Sequence, residues 1–180
     1  MKKLFIIGCI SLLLSCTADE LLIQEGDHHS SPDINILWVL EEDKEIVFDI
    51  TIPEMWVQTE SDWNKGVGIS NGLVPNKDMV NIAFRCWDGE LQYAPYFNKR
   101  YQKILPTEWI SHAYPGNKIT GRMSIIQDSA HITFTDGFNS ISKGQWIPKS
   151  SWGYLIQPWY GGQAKAPQDI TVFLNVKKIK

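Results

Sequence analysis

Short runs of alternating apolar and polar residues follow one another along most of the chain, and this period of two is typical of half-buried β-strands. In the clearest run, apolar residues stand at every second position from Ile46 to Ile52, and Pro53 ends the run. Comparable runs lie at about 79–87, 90–97, 119–126, 130–135, 152–159 and 169–176. No segment keeps a helical apolar period over the length of an ordinary helix, so the pattern predicts an all-β chain.

Turn-forming residues separate these runs. Asp88-Gly89 stands between two alternating runs and is the strongest hairpin signal in the chain. Weaker turn signals occur at 115–117, 136–137 and 161–162. For residues 103–113 the sequence does not decide whether one helical turn forms, because the apolar pattern is mixed and Pro106 interrupts it. Short strands at a spacing of roughly 8–12 residues indicate an antiparallel β-sandwich or jelly roll, and the absence of an internal repeat argues against a propeller or solenoid.

The first residues have the composition of an export signal. Lys2 and Lys3 precede an apolar run that ends with a small residue before Cys16, so residues 1–15 are predicted to be a signal peptide. The apolar run is shorter than the roughly 20 residues that span a bilayer. Residues 16–33 are polar and are predicted to be a flexible tether, followed by one β-sandwich domain over 34–180.

The tetrapeptide Leu13-Leu14-Ser15-Cys16 resembles the bacterial lipobox. The resemblance implies diacylglycerol on the sulfur of Cys16, cleavage before this residue, and a lipoprotein attached to a membrane of the cell envelope. The outer membrane, with the domain facing either the periplasm or the cell surface, is the expected location. The alternative is an ordinary cleaved signal in which Cys16 is incidental.

Charge and cysteine content narrow the function classes. The formal net charge of −3 provides no basic field for a phosphate backbone, which argues against nucleic acid as a partner. Cleavage before Cys16, with lipid on that residue, leaves Cys86 as the remaining thiol, so no intramolecular disulfide is expected. Cys86 is in phase with Ile82 and Phe84, and we therefore predict a buried apolar role rather than a nucleophile.

Two stretches resemble a group of uncharacterised secreted proteins and lipoproteins of Bacteroidetes. They are 63–72, followed by 84–87, and 158–170, and the similarity extends over about residues 60–176. This sequence departs from the group by lacking a His-His pair after the turn at 71–72 and by having Gln168 before Asp169. The resemblance implies a lectin-like β-sandwich of the concanavalin A type and a cell-envelope setting, and it implies no activity.

Eight tryptophans favour carbohydrate binding, because a flat indole covers the apolar face of a pyranose ring. Most tryptophans of a sandwich are expected in its core. Trp56 and Trp63, which flank a polar loop, and Trp146 are the ones we expect to be exposed. Arg85 and Trp87 share a strand face and form either a sugar platform or a simple cation–π pair. The candidate ligand-binding residues are therefore Trp56, Trp63, Arg85, Trp87 and Trp146.

Catalytic candidates are weaker. A glycosidase needs two carboxylates flanking the scissile bond, and Asp88 and Glu90 bracket a turn where acidic residues are expected to face water. A lyase needs a histidine or tyrosine base near an arginine that neutralises a uronate. His112, Tyr114 and His131 are present, but their spacing selects none of them. No catalytic residue is assigned from the sequence.

A structural calcium ion is the candidate cofactor. Jelly-roll modules hold calcium with oxygen ligands between early and late strands, and Asp49 and Asp169 occupy such positions. Asp169 has the alternative role of capping the preceding loop. His28 and His29 are the candidate ligands of a transition-metal ion, but they lie in the predicted tether, so such binding is expected to be incidental. No cysteine–histidine spacing typical of zinc occurs.

The leading hypothesis is a lipid-anchored envelope protein that binds a glycan without catalysis. The alternatives are a glycan-active hydrolase or lyase with a divergent site, and a structural or protein-interaction lipoprotein. The exposure and grouping of the tryptophans distinguish these possibilities.

Overall fold

Two antiparallel sheets face each other in the computed structural model, which describes residues 18–32, 37–38, 43–57, 63–74, 77–104, 110–148, 150–161 and 164–179. Its strands are β1 (Asp19–Ile23), β2 (Ser30–Ser31), β3 (Leu37–Trp38), β4 (Lys44–Thr51), β5 (Asn64–Asn71), β6 (Met79–Trp87), β7 (Glu90–Lys99), β8 (Gln102–Ile104), β9 (Ser111–Ala113), β10 (Lys118–Ile126), β11 (Ser129–Thr135), β12 (Ser140–Trp146), β13 (Gly153–Ile156) and β14 (Ile170–Ile179). None of the described residues forms a helix, so this part of the chain has none suited to crossing a membrane. The predicted signal peptide and Cys16 lie outside the described residues.

The strand order makes the molecule a jelly-roll β-sandwich. Sheet A has the order β12-β11-β10-β4-β14-β1-β2, and sheet B has the order β3-β13-β5-β6-β7-β8, with β9 also pairing with β7. In sheet A the early strand β4 lies between the late strands β10 and β14, so distant parts of the chain are neighbours in space. The predicted all-β, antiparallel fold class is confirmed.

The core lies between the two sheets and is filled by the alternating apolar positions. Ile46, Phe48 and Ile50 point inward from β4, and Ile82 and Phe84 face them from β6, all without solvent exposure. Each such side chain contributes roughly 1.5–3 kcal/mol by leaving water. The opposite faces of both sheets are the outer faces of the molecule.

The hairpin predicted at Asp88-Gly89 is confirmed. Trp87 lies opposite Glu90, and both turn residues have positive φ angles, 54° and 76°, as a two-residue type I′ turn requires. The helical turn left open over 103–113 has strands at both ends, β8 and β9, while 105–109 lie outside the described residues.

The predicted flexible tether over 16–33 is wrong for its described part. Strand β1 pairs with β14 along its whole length, and its side chains Leu21 and Ile23 are completely buried in the core. Two inward apolar side chains thus make a polar-looking segment part of the sandwich. The two histidines of this segment also have fixed contacts with the sandwich. His28 Nδ1 lies 3.2 Å from the carbonyl oxygen of Tyr160, and His29 stacks on Trp159 at 4.7 Å between ring centroids.

Candidate functional site

A row of polar and aromatic side chains crosses the outer face of sheet B near the β6–β7 turn. Arg85 of β6 lies opposite Gln92 of β7, which lies opposite His112 of β9. Trp63, just before β5, completes the row by contacting Arg85. We call Trp63, Arg85, Gln92 and His112 the arginine row. Neighbouring strands are about 4.8 Å apart, so the row is longer than a single side-chain pair.

Arg85 is the central charged group of the row. Its guanidinium carbon lies 4.3 Å from the centre of the Trp63 ring and 4.9 Å from that of Trp87. Its Nε donates a hydrogen bond of 2.9 Å to Oε1 of Gln92. Burial lowers the pKa of Arg85 from its ordinary value, but a guanidinium remains charged at neutral pH. These contacts fix a planar cation whose side chain is only half-buried.

An imidazole–carboxylate pair stands at the end of the row. Nδ1 of His112 is hydrogen-bonded to Oε2 of Glu90, and about half of each side chain is exposed. When Nδ1–H donates to the carboxylate, Nε2 becomes the accepting nitrogen of the ring. Glu90, expected only to face water, therefore also orients a potential base.

Two depressions lie beside the β6–β7 turn and adjoin the row. One, of about 130 Å³, is lined by Glu90, His112 and Tyr114, and the other, of about 450 Å³ and more open, is lined by Trp87 and Val57. The aromatic and aliphatic side chains here are among the exposed large apolar residues of the described chain, with Trp87 41% exposed. Apolar surfaces thus border a charged, hydrogen-bonding row.

The middle of the same outer face is covered and is not part of the open site. Lys65 is buried, with its ammonium 4.5 Å from the centre of the Trp159 ring and 5.8 Å from that of Tyr96. Asn81 is completely buried and accepts a hydrogen bond of 3.3 Å from the backbone N–H of Gly66. A second apolar cluster, Trp63, Met79, Ala83, Ala94, Tyr96 and Ile156, packs around them. This packing supports the arginine row from one side.

Only part of the predicted ligand-binding set comes together. Trp63, Arg85 and Trp87 are in contact, but Trp63 is only 6% exposed, so its expected exposure is wrong. Trp56, also expected to be exposed, is 5% exposed and belongs to the core, where it meets Phe84 edge-on at 5.7 Å. The position of these two tryptophans beside a polar loop predicts exposure, but in the structure both rings pack onto the sandwich.

Trp146 is exposed, as predicted, but lies at the other end of the sandwich. Its Nε1 donates a hydrogen bond of 2.9 Å to Asp128, and the ammonium of Lys99 lies 4.5 Å from its ring centre. Lys99 ends β7 whereas the arginine row lies near its start. Trp146 is therefore separate from the candidate site.

The two carboxylates expected to hold calcium are not brought together. Asn175 lies opposite Asp49, so Asp169, six positions earlier along the chain, is on the order of 20 Å from Asp49. Asp49 is instead bound by Lys177 at 2.6 Å and Thr120 at 2.8 Å, while Asp169 caps the backbone N–H of Glu25 at 2.8 Å. Within the described ranges no group of three or more histidine, cysteine or acidic residues could hold a metal ion. The expectation of a calcium site at this pair is therefore wrong.

Cys86 has the buried environment expected from its position in the apolar run. It is 4% exposed, and burial raises the pKa of its thiol to about 11, although a backbone hydrogen bond involving Trp56 acts in the opposite direction. A thiol with this pKa is protonated at neutral pH and is a poor nucleophile. The buried apolar role predicted for Cys86 is confirmed.

The comparisons with known proteins bear on the fold. No family model matches the chain, and no curated protein matches it in sequence. Among solved structures, the chain is similar to aly-SJ02 of polysaccharide lyase family 18, with a TM-score of 0.57 and 8% identity over 93% of this chain and 90% of that one. It is also similar to alginate lyase A1-II′ of polysaccharide lyase family 7, with a TM-score of 0.54 and 9% identity over 81% of this chain. A functionally unknown protein from Saccharomyces cerevisiae gives a TM-score of 0.53 and 11% identity, over 81% of this chain and 72% of that one.

These similarities concern the fold alone. At such low identities they show a shared jelly-roll β-sandwich and nothing finer. The chain spans 64% of the length of A1-II′. Fold and site together define a jelly-roll β-sandwich with a cationic and aromatic site on the outer face of sheet B.

Proposed function

We propose that this protein binds an acidic, uronate-containing polysaccharide at the arginine row. The observation that carries the proposal is the guanidinium of Arg85, fixed by Trp63, Trp87 and Gln92 on the outer face of sheet B. A planar guanidinium pairs with a carboxylate through two parallel hydrogen bonds. The exposed ring of Trp87 offers a flat apolar surface for the adjoining sugar, and His112 offers a hydrogen-bonding group for hydroxyls.

Two further considerations support a glycan as the ligand. Solved structures with a similar fold include polysaccharide lyases, of which A1-II′ is an alginate lyase. The lipobox resemblance at Cys16 gives the proposed setting, a lipid-anchored protein of the cell envelope. In the cell envelope, such a protein is in contact with polysaccharides.

Cleavage of the same polymer is the second candidate function, and the position of His112 favours it. His112 lies in register with the Arg85–Gln92 pair, one strand beyond Gln92, so a base stands on the same row as the group that would neutralise a uronate. In a β-elimination, Nε2 of His112 takes the C5 proton, and the electrons of that bond form a C4–C5 double bond. The C4–O bond breaks, and its oxygen takes a proton from water. Glu90 stabilises the resulting imidazolium.

Substituting Arg85 tests the binding function. Titration of tryptophan fluorescence with alginate and polygalacturonate is expected to show saturable binding, whereas the neutral polymer dextran gives none. Arg85→Gln is expected to lower the affinity about 10- to 100-fold, because it removes a charge-assisted hydrogen-bonding group. Arg122→Gln is the matched control, since Arg122 is an exposed arginine on sheet A. Absence of binding to both uronate polymers, or equal losses in both variants, contradicts the proposal.

A separate assay tests cleavage. If the protein is a lyase, the unsaturated product increases the ultraviolet absorbance of the polymer solution. His112→Ala is then expected to abolish product formation while binding is weakened only by the loss of one hydrogen-bonding group, and His131→Ala, at an exposed histidine of sheet A, to leave both unchanged. Binding without product from the unsubstituted protein rejects the lyase and leaves non-catalytic binding in place.

A further inference from the structure

The turn between β7 and β8 is made by two residues that are unfavourable in such a turn. Arg100 and Tyr101 both have positive φ angles, 50° and 68°, and the flanking residues Lys99 and Gln102 lie opposite each other. A two-residue turn of this kind favours Asn-Gly or Asp-Gly, as at Asp88-Gly89, because a bulky side chain is strained at positive φ. Both side chains of the strained turn are exposed. Backbone strain of this kind is concentrated at functional positions, so the two side chains are candidates for a role outside the fold.

The turn is held by the neighbouring loop between β5 and β6. The backbone N–H of Arg100 donates to Oδ1 of Asp78 at 2.9 Å, and that of Tyr101 donates to the carbonyl oxygen of Lys77 at 2.9 Å. The N–H of Lys77 in turn donates to the carbonyl oxygen of Val74 at 3.4 Å. Asp78 is buried, whereas the side chains of Lys77 and Arg100 are exposed. The surface of this contact is therefore basic.

Exposed apolar side chains stand beside the two cations. Leu73 is 57% exposed, Val74 47% and Tyr101 60%. We call Leu73, Val74, Lys77, Arg100 and Tyr101 the basic tip. It lies at the end of the sandwich opposite the arginine row, because β7 begins near the row and ends at the tip. A group of exposed apolar residues, unlike a single one, marks an interaction surface.

Two tryptophans adjoin the basic tip and continue its composition. The ammonium of Lys99, the residue before the strained turn, lies 4.5 Å from the centre of the Trp146 ring, and Trp146 is 44% exposed. Trp152, 38% exposed, accepts a hydrogen bond of 2.8 Å on its carbonyl oxygen from the N–H of Gly72, the residue before Leu73. Tryptophan and tyrosine together with lysine and arginine are the residues that proteins place at the boundary between lipid and water.

From these observations we infer that the basic tip, together with Trp146, docks on the surface of an anionic lipid bilayer. The two cations of the tip pair with headgroup phosphates, and Tyr101 and Trp146 lie at the level of the headgroups. Leu73 and Val74 enter the boundary of the acyl chains. An acidic polysaccharide would also pair with the cations, but it offers no apolar layer to two aliphatic side chains. Docking at this end leaves the arginine row open, and it does not depend on the proposed polysaccharide function.

Replacing the strained turn by residues that suit it separates a role in the fold from a role in binding. Arg100→Asn combined with Tyr101→Gly is expected to raise the temperature of thermal unfolding, because it relieves the strain at positive φ. The same variant is expected to lower the affinity for vesicles of phosphatidylethanolamine and phosphatidylglycerol at least about 10-fold, since one cation and one interfacial aromatic are lost. Sedimentation with vesicles measures the affinity. The protein used begins at Thr17, carries no lipid and keeps every strand of both sheets.

Leu73→Ser tests the apolar part of the contact. It is expected to lower the affinity for these vesicles about 5- to 10-fold, because a leucine side chain no longer leaves water on docking, and to leave alginate binding unchanged. The matched control combines Arg122→Asn with Phe138→Ala, which removes one exposed arginine and one exposed aromatic away from the tip. It is expected to leave vesicle binding unchanged. Vesicles of phosphatidylcholine alone are expected to bind more weakly than the anionic ones.

Several results would overturn the lipid-docking surface while binding at Arg85 stands. They are the absence of binding to anionic vesicles, equal binding to phosphatidylcholine, and equal losses in the turn variant and the control. A lower unfolding temperature in the turn variant would show that the two side chains support the fold, which also overturns the inference. Loss of alginate binding in the turn variant with vesicle binding unchanged assigns the basic tip to a polysaccharide instead.

Discussion

At Asp49, a single carboxylate joins three adjacent strands of sheet A. It lies on β4, binds Thr120 of β10 at 2.8 Å, and pairs with Lys177 of β14 at 2.6 Å, while Lys118 lies 3.9 Å away. Burial opposes its ionisation, but the bonds from Lys177 and Thr120 outweigh this effect and lower the pKa of Asp49 below its ordinary value. The folded state therefore favours the charged form.

This shift predicts how the stability of the sheet depends on pH. A carboxyl group with a lowered pKa in the folded state stabilises the fold above the unfolded pKa, and this contribution is lost as pH falls through the folded value. Asp49→Asn is expected to lower the free energy of unfolding by about 1–2 kcal/mol at pH 7, and the difference from the unsubstituted protein is expected to shrink toward pH 3. Urea unfolding at several pH values measures both quantities.

The control for this prediction is Asp19→Asn, at an exposed carboxylate of the same sheet, and it is expected to have little effect at any pH. If the Asp49 variant and the unsubstituted protein show the same dependence on pH below about pH 4, the lowered pKa plays no part in stability.

The contribution of strand β1 to stability comes from a whole segment rather than from a single residue. Leu21 and Ile23 are completely buried, and Leu22 between them lies on the other face, half-buried. Leu21→Ala is expected to cost about 2–5 kcal/mol of stability, as other buried leucines do, whereas Leu22→Ala is expected to cost less than about 1 kcal/mol. Denaturant unfolding of both variants measures the difference. Equal, small losses would mean that residues 19–23 are a tether after all.

The strands differ in how clearly the sequence indicates them. Strands such as β4, with one face on the core and one outside, keep the alternation that predicts them. Strand β5 is buried on both faces, and a Cβ at Gly68 would overlap the carbonyl oxygen of Val80, so close packing replaces alternation there. Strand β12 is polar along most of its length because it is an edge strand. Neither β5 nor β12 was predicted, because burial on both faces in β5 and the edge position of β12 remove the apolar–polar alternation that indicates a half-buried strand.

For the molecule as a whole, the fold class could be predicted from the sequence but the site could not. Alternating runs and turns are local signals, and they suffice for an antiparallel sandwich. The candidate site needs Arg85, Gln92 and His112 on three strands, with Trp63 from the segment before β5, and only the pairing of the strands brings these residues together. The sequence placed Arg85 and Trp87 on one face, which is correct, because that relation depends on a single strand.

The position of β1 has a consequence for how far the proposed site stands from a membrane. β1 runs in the same direction as β4, and its first residue, Asp19, lies opposite Leu174, which in turn lies opposite Ile50 near the end of β4. Thr17 and Ala18 alone separate Cys16 from Asp19 in the sequence, a reach of at most about 11 Å. If Cys16 carries the predicted lipid, this short reach keeps the sandwich, and the proposed binding surface with it, close to the bilayer. Only polymer strands that approach the bilayer closely would be captured.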